Sequence, residues 1–331
     1  MSRRPTVIAV SVSEANDLGI LGFLPNELDR VLAALITPLV HSRFRIAYGG
    51  RLEGCGNFTT QISGLVAETY APYAYDLGER PFIHVLAPHR VAALARESLL
   101  AHAKVLGPHA ELWLISRGDS VGLTVGLETQ SLQGTTVVGM RCKLVSSDRS
   151  GGEKPTLGSE YSGRGVFLAN EKQLTETLAP LAREAAGSVA SDQGTGPSFS
   201  RMRRAMAQMT DARILVGGRT EGFSGHISGV TEEALSTIDA DKPLLILGAF
   251  GGAARDIAIA LRLMEGKMTH SLDQRYIGGI ERVREREPRY REIMRRAGVA
   301  EIAVQLAAAD THSSAARLAT RILQHLFRKP R

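Results

Sequence analysis

Three times along this chain a short, mostly apolar run ends in paired glycines and leads, directly or through a loop, into a helix-like segment. The runs are "FRIAYGG", ending at Gly49 and Gly50, "ARILVGG", ending at Gly217 and Gly218, and "LLILGAFGG", ending at Gly251 and Gly252. Runs that are apolar at nearly every position, rather than at alternate ones, suit strands covered on both faces of a parallel sheet. Parallel neighbours in turn need a crossover connection, usually a helix. "TVIAVSVS" (residues 6–13) is a further run of this kind, followed by "NELDRVLAALITPLV" with apolar residues at Leu28, Val31, Leu32, Leu35, Ile36 and Leu39. That is helical spacing, which Pro38 is expected to end or kink.

"PFIHVLAP" and "AELWLIS" extend the series of strands, with the helical pattern "RVAALARESLLAHAKVL" between them. "AEIAVQLAAADTHSSAARLATRILQHLF" reads as a last strand followed by a helix. The expected fold class is α/β: a Rossmann-like, doubly wound, mostly parallel sheet with helices on both faces. The whole chain, 1–331, is expected to form one such domain, with a flexible insertion or linker at about 119–165 and at 188–198.

Composition narrows the partners. The 34 glycines exceed the roughly 7% average and concentrate at the strand-to-helix corners. The net charge of +6 favours anionic partners, yet the basic residues are spread along the chain, so a nucleotide satisfies the bias as well as a nucleic acid. With only 5% aromatic residues there are few stacking platforms, and single-stranded nucleic acid ranks last among the partners. Cys55 and Cys142 form neither a disulfide framework nor a metal-ligand spacing, so reduced cytoplasm is expected and no metal. No stretch approaches the roughly 20 apolar residues of a membrane span, and no membrane association is expected.

A corner without Cβ atoms permits positive φ and lets a phosphate approach the backbone, while the helix that follows offers unpaired N–H groups. The expected phosphate contacts are therefore the backbones of Gly49, Gly50, Gly217, Gly218, Gly251 and Gly252, with Phe250 at the last corner. Hydroxyls of Ser11, Ser13, Thr59 and Thr231 and the charges of Arg51, Arg203 and Arg219 complete the expected binding set. None of the corners matches GxxxxGK[ST], and the first is not GxGxxG, which excludes the two commonest phosphate-loop readings. After Gly229 come Glu232 and Glu233, which either offset the positive end of a helix or hold a ribose. "ERVREREPRYREIMRR" alternates in sign and reads as a solvated, salt-bridged helical face.

The order "VIAVSVS", "IAYGGRLEGCGNFT", "MRRAM", "DARILVGGRTEGFSGHISGVTEEAL", "KPLLILGAFGG" resembles the SLOG superfamily, which joins the Smf/DprA proteins and the Lonely Guy phosphoribohydrolases. Within it the chain looks most like the family associated with TIR and purine nucleoside phosphorylase domains in prokaryotic conflict systems. The resemblance implies a nucleotide bound at the carboxyl edge of the sheet: ADP-ribose, an NAD derivative or a cyclic nucleotide. No further cofactor is required. A sensor must pass its signal on, so a TIR or other effector protein acting in trans is expected, and homo-oligomerisation through the charged helix. The Lonely Guy enzymes carry PGGxGTxxE, whose last Glu acts with an Arg from the preceding helix. Here Glu233 matches that acid and Gly229 the third glycine, whereas Pro-Gly-Gly is missing and Val230 replaces the threonine. The arginine position falls on Met202, beside Arg203. The expected function is a nucleotide sensor. The alternative is a hydrolase of the N-glycosidic bond in a nucleoside monophosphate or NAD-like nucleotide, with Glu233 and Arg203 as catalytic residues.

Overall fold

The computed structural model describes residues 5–50, 57–70, 80–93, 99–115, 121–132, 135–144, 166–168, 171–190, 195–269 and 271–327. In chain order the first elements are β1 (Val7–Ser13), α1 (Glu27–His41), β2 (Arg45–Tyr48), α2 (Phe58–Thr69), β3 (Phe82–Leu86), α3 (Pro88–Ala93), α4 (Leu99–Leu106) and β4 (Ala110–Ile115). Then follow β5 (Val121–Leu132), β6 (Thr135–Leu144), β7 (Val166–Leu168), α5 (Glu171–Ala190), α6 (Gly196–Met209), β8 (Ala212–Gly217), α7 (Gly229–Asp239) and β9 (Leu244–Leu247). The chain closes with α8 (Gly252–Ala260), α9 (Gln274–Glu285), α10 (Glu287–Arg296), α11 (Ala300–Ala307) and α12 (His312–Phe327).

These elements cluster into two compact units. The first comprises Met1–Ala47, Glu68–Ala74 and Met206–Arg331; the second comprises Tyr48–Ala67 and Tyr75–Ala205. In the first unit β1 pairs in parallel with β2 on one side (Val7 opposite Arg45) and with β8 on the other (Ile8 opposite Ala212, Ser13 opposite Gly217), and β8 pairs in parallel with β9. The chain thus leaves β1 towards β2 and later returns to β1's other side. Right-handed crossovers made in opposite directions put α1 and α7 on opposite faces of the sheet. Accordingly α1 packs on α12, while α7 packs on α8 and α9. The reversal also creates a topological switch point between the carboxyl ends of β1 and β8, where an open α/β sheet leaves a crevice.

The apolar stripe expected for α1 is buried as its spacing requires, but the helix runs through Pro38 to His41. Proline removes one i→i−4 bond; burial of Leu35, Ile36, Leu39 and Val40 on both sides of it holds the turn. The last expected strand is instead the helix α11, where Ala303, Leu306 and Ala307 are buried at a spacing of three and one. An Ala- and Leu-rich run of eight residues satisfies either pattern locally, and helix propensity with one buried stripe decides it.

In the second unit β3 and β4 are parallel, and β5, β6 and β7 add antiparallel strands beyond β4. Part of the flexible insertion expected at 119–165 is therefore sheet, with β5 and β6 paired from Leu123–Leu144 to Leu132–Thr135. Their many β-branched residues and the short connection between them make a hairpin. Residues 145–165, and 191–194 of the second expected linker, lie outside the described residues. Cys142 is buried on β6 and burial pushes its thiol up to about 12, which makes it inert as a nucleophile; Cys55 lies outside the described residues.

His84, on β3, is fully buried and hydrogen-bonds through Nε2 to the Gly50 carbonyl at 3.2 Å. Burial lowers its pKa from 6.5 to about 4. A histidine depressed in the folded state stabilises the fold above its unfolded pKa and loses that contribution as pH falls from about 6.5 towards 4, at most about 3 kcal/mol. Urea midpoints measured at pH 7 and pH 4.5 should show a larger acid-induced fall for the native protein than for His84→Gln, which keeps a hydrogen-bonding side chain but does not titrate.

Candidate functional site

The switch point is built from the ends of β1 and β8. Gly217 and Gly218 have φ of 60° and 108°, and Gly251 and Gly252 have φ of 75° and 63°, a region that L side chains rarely occupy. The reason is close approach of the two corners. A Cβ on Gly252 would stand 2.4 Å from the Gly218 carbonyl oxygen, and one on Gly218 would stand 2.9 Å from Val230 Cγ2. Their N–H groups are engaged within the protein: Gly218 N donates to Ser13 O at 2.9 Å, Ala253 N to Gly218 O at 2.9 Å, and Gly251 N to Gly248 O at 3.2 Å. Gly252 N donates to Asp17 Oδ1 at 2.7 Å. The buried Asp17 carboxylate, from the loop after β1, thus occupies the anion position at the start of α8.

Behind Asp17 lies a closed polar chain. Thr269 Oγ1 donates to Asp17 Oδ2 at 3.4 Å, Thr269 N donates to Asp256 Oδ1 at 2.8 Å, and Tyr276 OH donates to Asp256 Oδ2 at 2.6 Å. Burial raises the Asp256 pKa, and burial together with the neighbouring Asp256 charge raises that of Tyr276.

The start of α7 is arranged differently. Its N-cap residue, Ser228, makes no side-chain cap; its hydroxyl donates to Arg219 O at 2.7 Å. Gly229, Val230 and Thr231 open the helix there, and the fully buried Thr231 hydroxyl has no hydrogen-bond partner among the described residues. Arg219 stands at the same edge: its N–H donates to Ser13 Oγ at 3.3 Å, and its guanidinium pairs with Glu14, both side chains being exposed. Arg275 stacks over Phe223 at 4.7 Å and donates to Gly225 O at 3.3 Å, which fastens the intervening loop.

Ser11 and Glu233 are turned away from this edge, beneath α7. Both meet Arg213, a residue of β8 with no exposed surface. Arg213 Nη1 donates to Ser11 Oγ at 2.7 Å and lies 3.4 Å from Glu233 Oε2, while Nε donates to Thr237 Oγ1 at 2.8 Å. Glu232 sits one position earlier, in the first turn, half-buried. Phe250 is a core residue, fully buried against the Phe23 ring at 5.4 Å.

The structure therefore brings Ser13, Gly217, Gly218 and Arg219 together at the carboxyl ends of β1 and β8, beside the start of α7 at Gly229, with Gly251 and Gly252 packed behind them; Thr231 is fully buried, with its methyl group against Gly279. Gly49, Gly50, Thr59 and Arg203 belong to the second unit. There the start of α2 is capped by Asn57, whose Oδ1 accepts from Thr60 N at 2.9 Å, and Thr59 is fully buried. Met202 is buried, and Arg203 lies over the Phe199 ring at 5.5 Å. Arg51 lies outside the described residues. Two Ser–His pairs in this unit are structural. Ser63 Oγ donates to Leu106 O and so receives from His109 Nε2, and Ser198 is buried, receiving the backbone N–H of His89.

Asp17, Arg213 and Arg275 escaped the sequence reading. Arg213 alone had a visible signal, a single charge in an otherwise apolar strand of "DARILVGG".

A family model for SLOG cluster2 matches residues 3–134 and 166–324, the β1, β8 and β9 corners included. The chain belongs to SLOG cluster2. No curated protein matches it. As a SLOG cluster2 protein it is a nucleotide-related Rossmann-like domain, and its strand-end crevice lies where such folds take their ligands. Among the described residues no helix is long and apolar enough to cross a membrane.

Two substitutions test this description of the SLOG corner. Gly252→Ala places a methyl group against backbone at 2.4 Å and at positive φ, and thermal melts should show a loss of about 1–3 kcal/mol. Gly222→Ala, also at positive φ but with no atom within 4 Å, should lose less. Glu233→Ala leaves Arg213 buried without its carboxylate and should cost about 3 kcal/mol or more in urea unfolding; an effect near zero would show that the ion pair does not hold α7 on β8.

Proposed function

We propose that the first unit holds a nucleotide derived from NAD or ADP-ribose, with its phosphates on the open start of α7 and beside Arg219, and that it serves as a sensor. The observation that carries this reading is the contrast between two helix starts at one sheet edge. Asp17 fills the start of α8, whereas that of α7 has no side-chain cap and holds a buried Thr231 hydroxyl without a hydrogen-bond partner among the described residues. A helix start attracts anions through its free N–H groups and positive dipole end. The Arg219–Glu14 pair is exposed, and such pairs contribute only about 0–1 kcal/mol, so a phosphate exchanges with Glu14 at little cost.

The hydrolase alternative needs Glu233 at the glycosidic bond. Its carboxylate instead lies under α7 against Arg213, and Arg203 is placed on Phe199, which favours holding over cleavage. The resemblance of its motifs to the TIR- and purine nucleoside phosphorylase-associated proteins supports a role in a prokaryotic defence system, in the cytoplasm, with an effector on a separate chain.

Calorimetric titration with ADP-ribose, NAD, AMP and a cyclic nucleotide, with chromatography of each mixture, tests both readings. The sensor reading expects binding by at least one of them, a raised melting temperature and no released base. Arg219→Ala should weaken that binding about tenfold or more, because a charge-assisted contact to phosphate is lost. Release of nicotinamide or adenine that disappears in Glu233→Gln would replace the sensor with the hydrolase.

A further inference from the structure

The charge-dense helices α9 and α10 are the obvious place to look for an oligomer contact, but most of their charges pair within the fold, Arg282 excepted. Arg284 pairs with Glu281, Arg295 with Glu292 and Arg291 with Glu287. Arg286 and Arg289 reach across to Asp239 and Asp241 at the end of α7. The face shared by α1 and α12 differs. Glu27 meets His312 at 3.5 Å where both helices begin, and Gln324 donates to Ser42 at 2.9 Å where both end, so the two helices run parallel. Between them lies an open groove of about 520 Å³ whose floor is made of small residues, Ala34, Pro38 and Ala316. Arg317 and Arg321, one turn apart along its rim, are exposed and take no ion pair among the described residues; neither does the exposed Asp310 at the opposite end of α12.

We infer that this α1–α12 face is a two-fold interface between two copies of the chain, with Ala316 near the axis and Asp310 of each copy paired with Arg321 of its partner. The occupant follows from the charge pattern. One surface carries an acid at one end and bases at the other, about 16 Å apart along the helix. Such a surface complements itself after a half-turn, as an isologous dimer requires. A purely acidic partner would leave Asp310 facing like charge. Small side chains on the floor let helices approach to about 8–10 Å. The half-turn also sets the parallel dipoles of α1 and α12 against oppositely directed ones from the second copy.

The test uses charge exchange, measured by analytical ultracentrifugation at low salt. The native protein is expected to sediment as a dimer. Arg321→Asp and Asp310→Arg each place like charges across the axis twice, and each should raise the dimer dissociation constant about tenfold or more. In an equimolar mixture of the two variants, a dimer of mixed composition has opposite charges at both of its contacts between positions 310 and 321, so the mixture should recover dimers. A monomeric native protein, unweakened dimers of both variants, or a mixture that stays monomeric would each overturn the interface. All substituted positions are exposed, and circular dichroism should confirm unchanged folding. The result is independent of nucleotide binding, because α1–α12 and the α7 start are tested by different substitutions and different readouts.

Discussion

The first unit is organised around one guanidinium. Arg213 has no exposed surface and lies in a parallel strand, where an unpaired charge would be prohibitively expensive to bury. It is accommodated because β1 supplies Ser11 and α7 supplies Thr237 and Glu233, each within reach of a nitrogen. Three elements are thereby fixed to one another from the inside. The direction of α7 follows from that anchor, and so does the place where its first turn opens, beside the carboxyl ends of β1 and β8. A buried ion pair adds little net stability over an apolar pair of the same shape, but a partial one is strongly unfavourable, so its geometry is specific.

This anchor changes the meaning of the glycine corners. A glycine pair at a strand end serves two purposes that sequence does not separate: it frees N–H groups for a ligand, or it lets two backbones touch. Gly218 and Gly252 do the second, since the Gly218 carbonyl accepts from Ala253 N and leaves no room for a Cβ at position 252. The start of α8 is then completed by Asp17, a carboxylate provided by the chain itself. What remains for a ligand at this edge is the start of α7, where the N-cap residue Ser228 makes no side-chain cap.

Much of the scaffold was legible in the order of residues, for identifiable reasons. β1, β8 and β9 are apolar at nearly every position because both faces are covered, and α1 shows its buried stripe at helical spacing. Where two patterns satisfy the same residues, legibility ended: "AEIAVQLA" suits strand or helix until α11 packs on its neighbours, and "TTVVGMRCKL" is strand-like but lies in a segment whose polar, glycine-rich continuation reads as an insertion. The site was less legible than the fold. Ser11, Glu233 and Phe250 have ligand-like chemistry and lie at the expected elements, yet Arg213 and Phe23 claim them. Such contacts join residues up to about two hundred positions apart, which no local pattern encodes. Asp17 was missed for the same reason, its partner being a backbone N–H 235 residues away.

The division of labour among the acids bears on what the site can do. An acid that breaks a glycosidic bond must reach the reacting atoms and exchange a proton there. Glu233 is anchored from below by a cation that also holds two hydroxyls, so moving it towards the edge would break its ion pair with Arg213 and loosen α7, the very element whose start faces the crevice. In this arrangement the carboxylate contributes most by staying where it is. The groups left at the edge are a helix start, a hydroxyl on Ser13 and the exposed Arg219–Glu14 pair, whose guanidinium has the chemistry that suits a phosphate. The same anchor that places α7 therefore weighs against catalysis at Glu233.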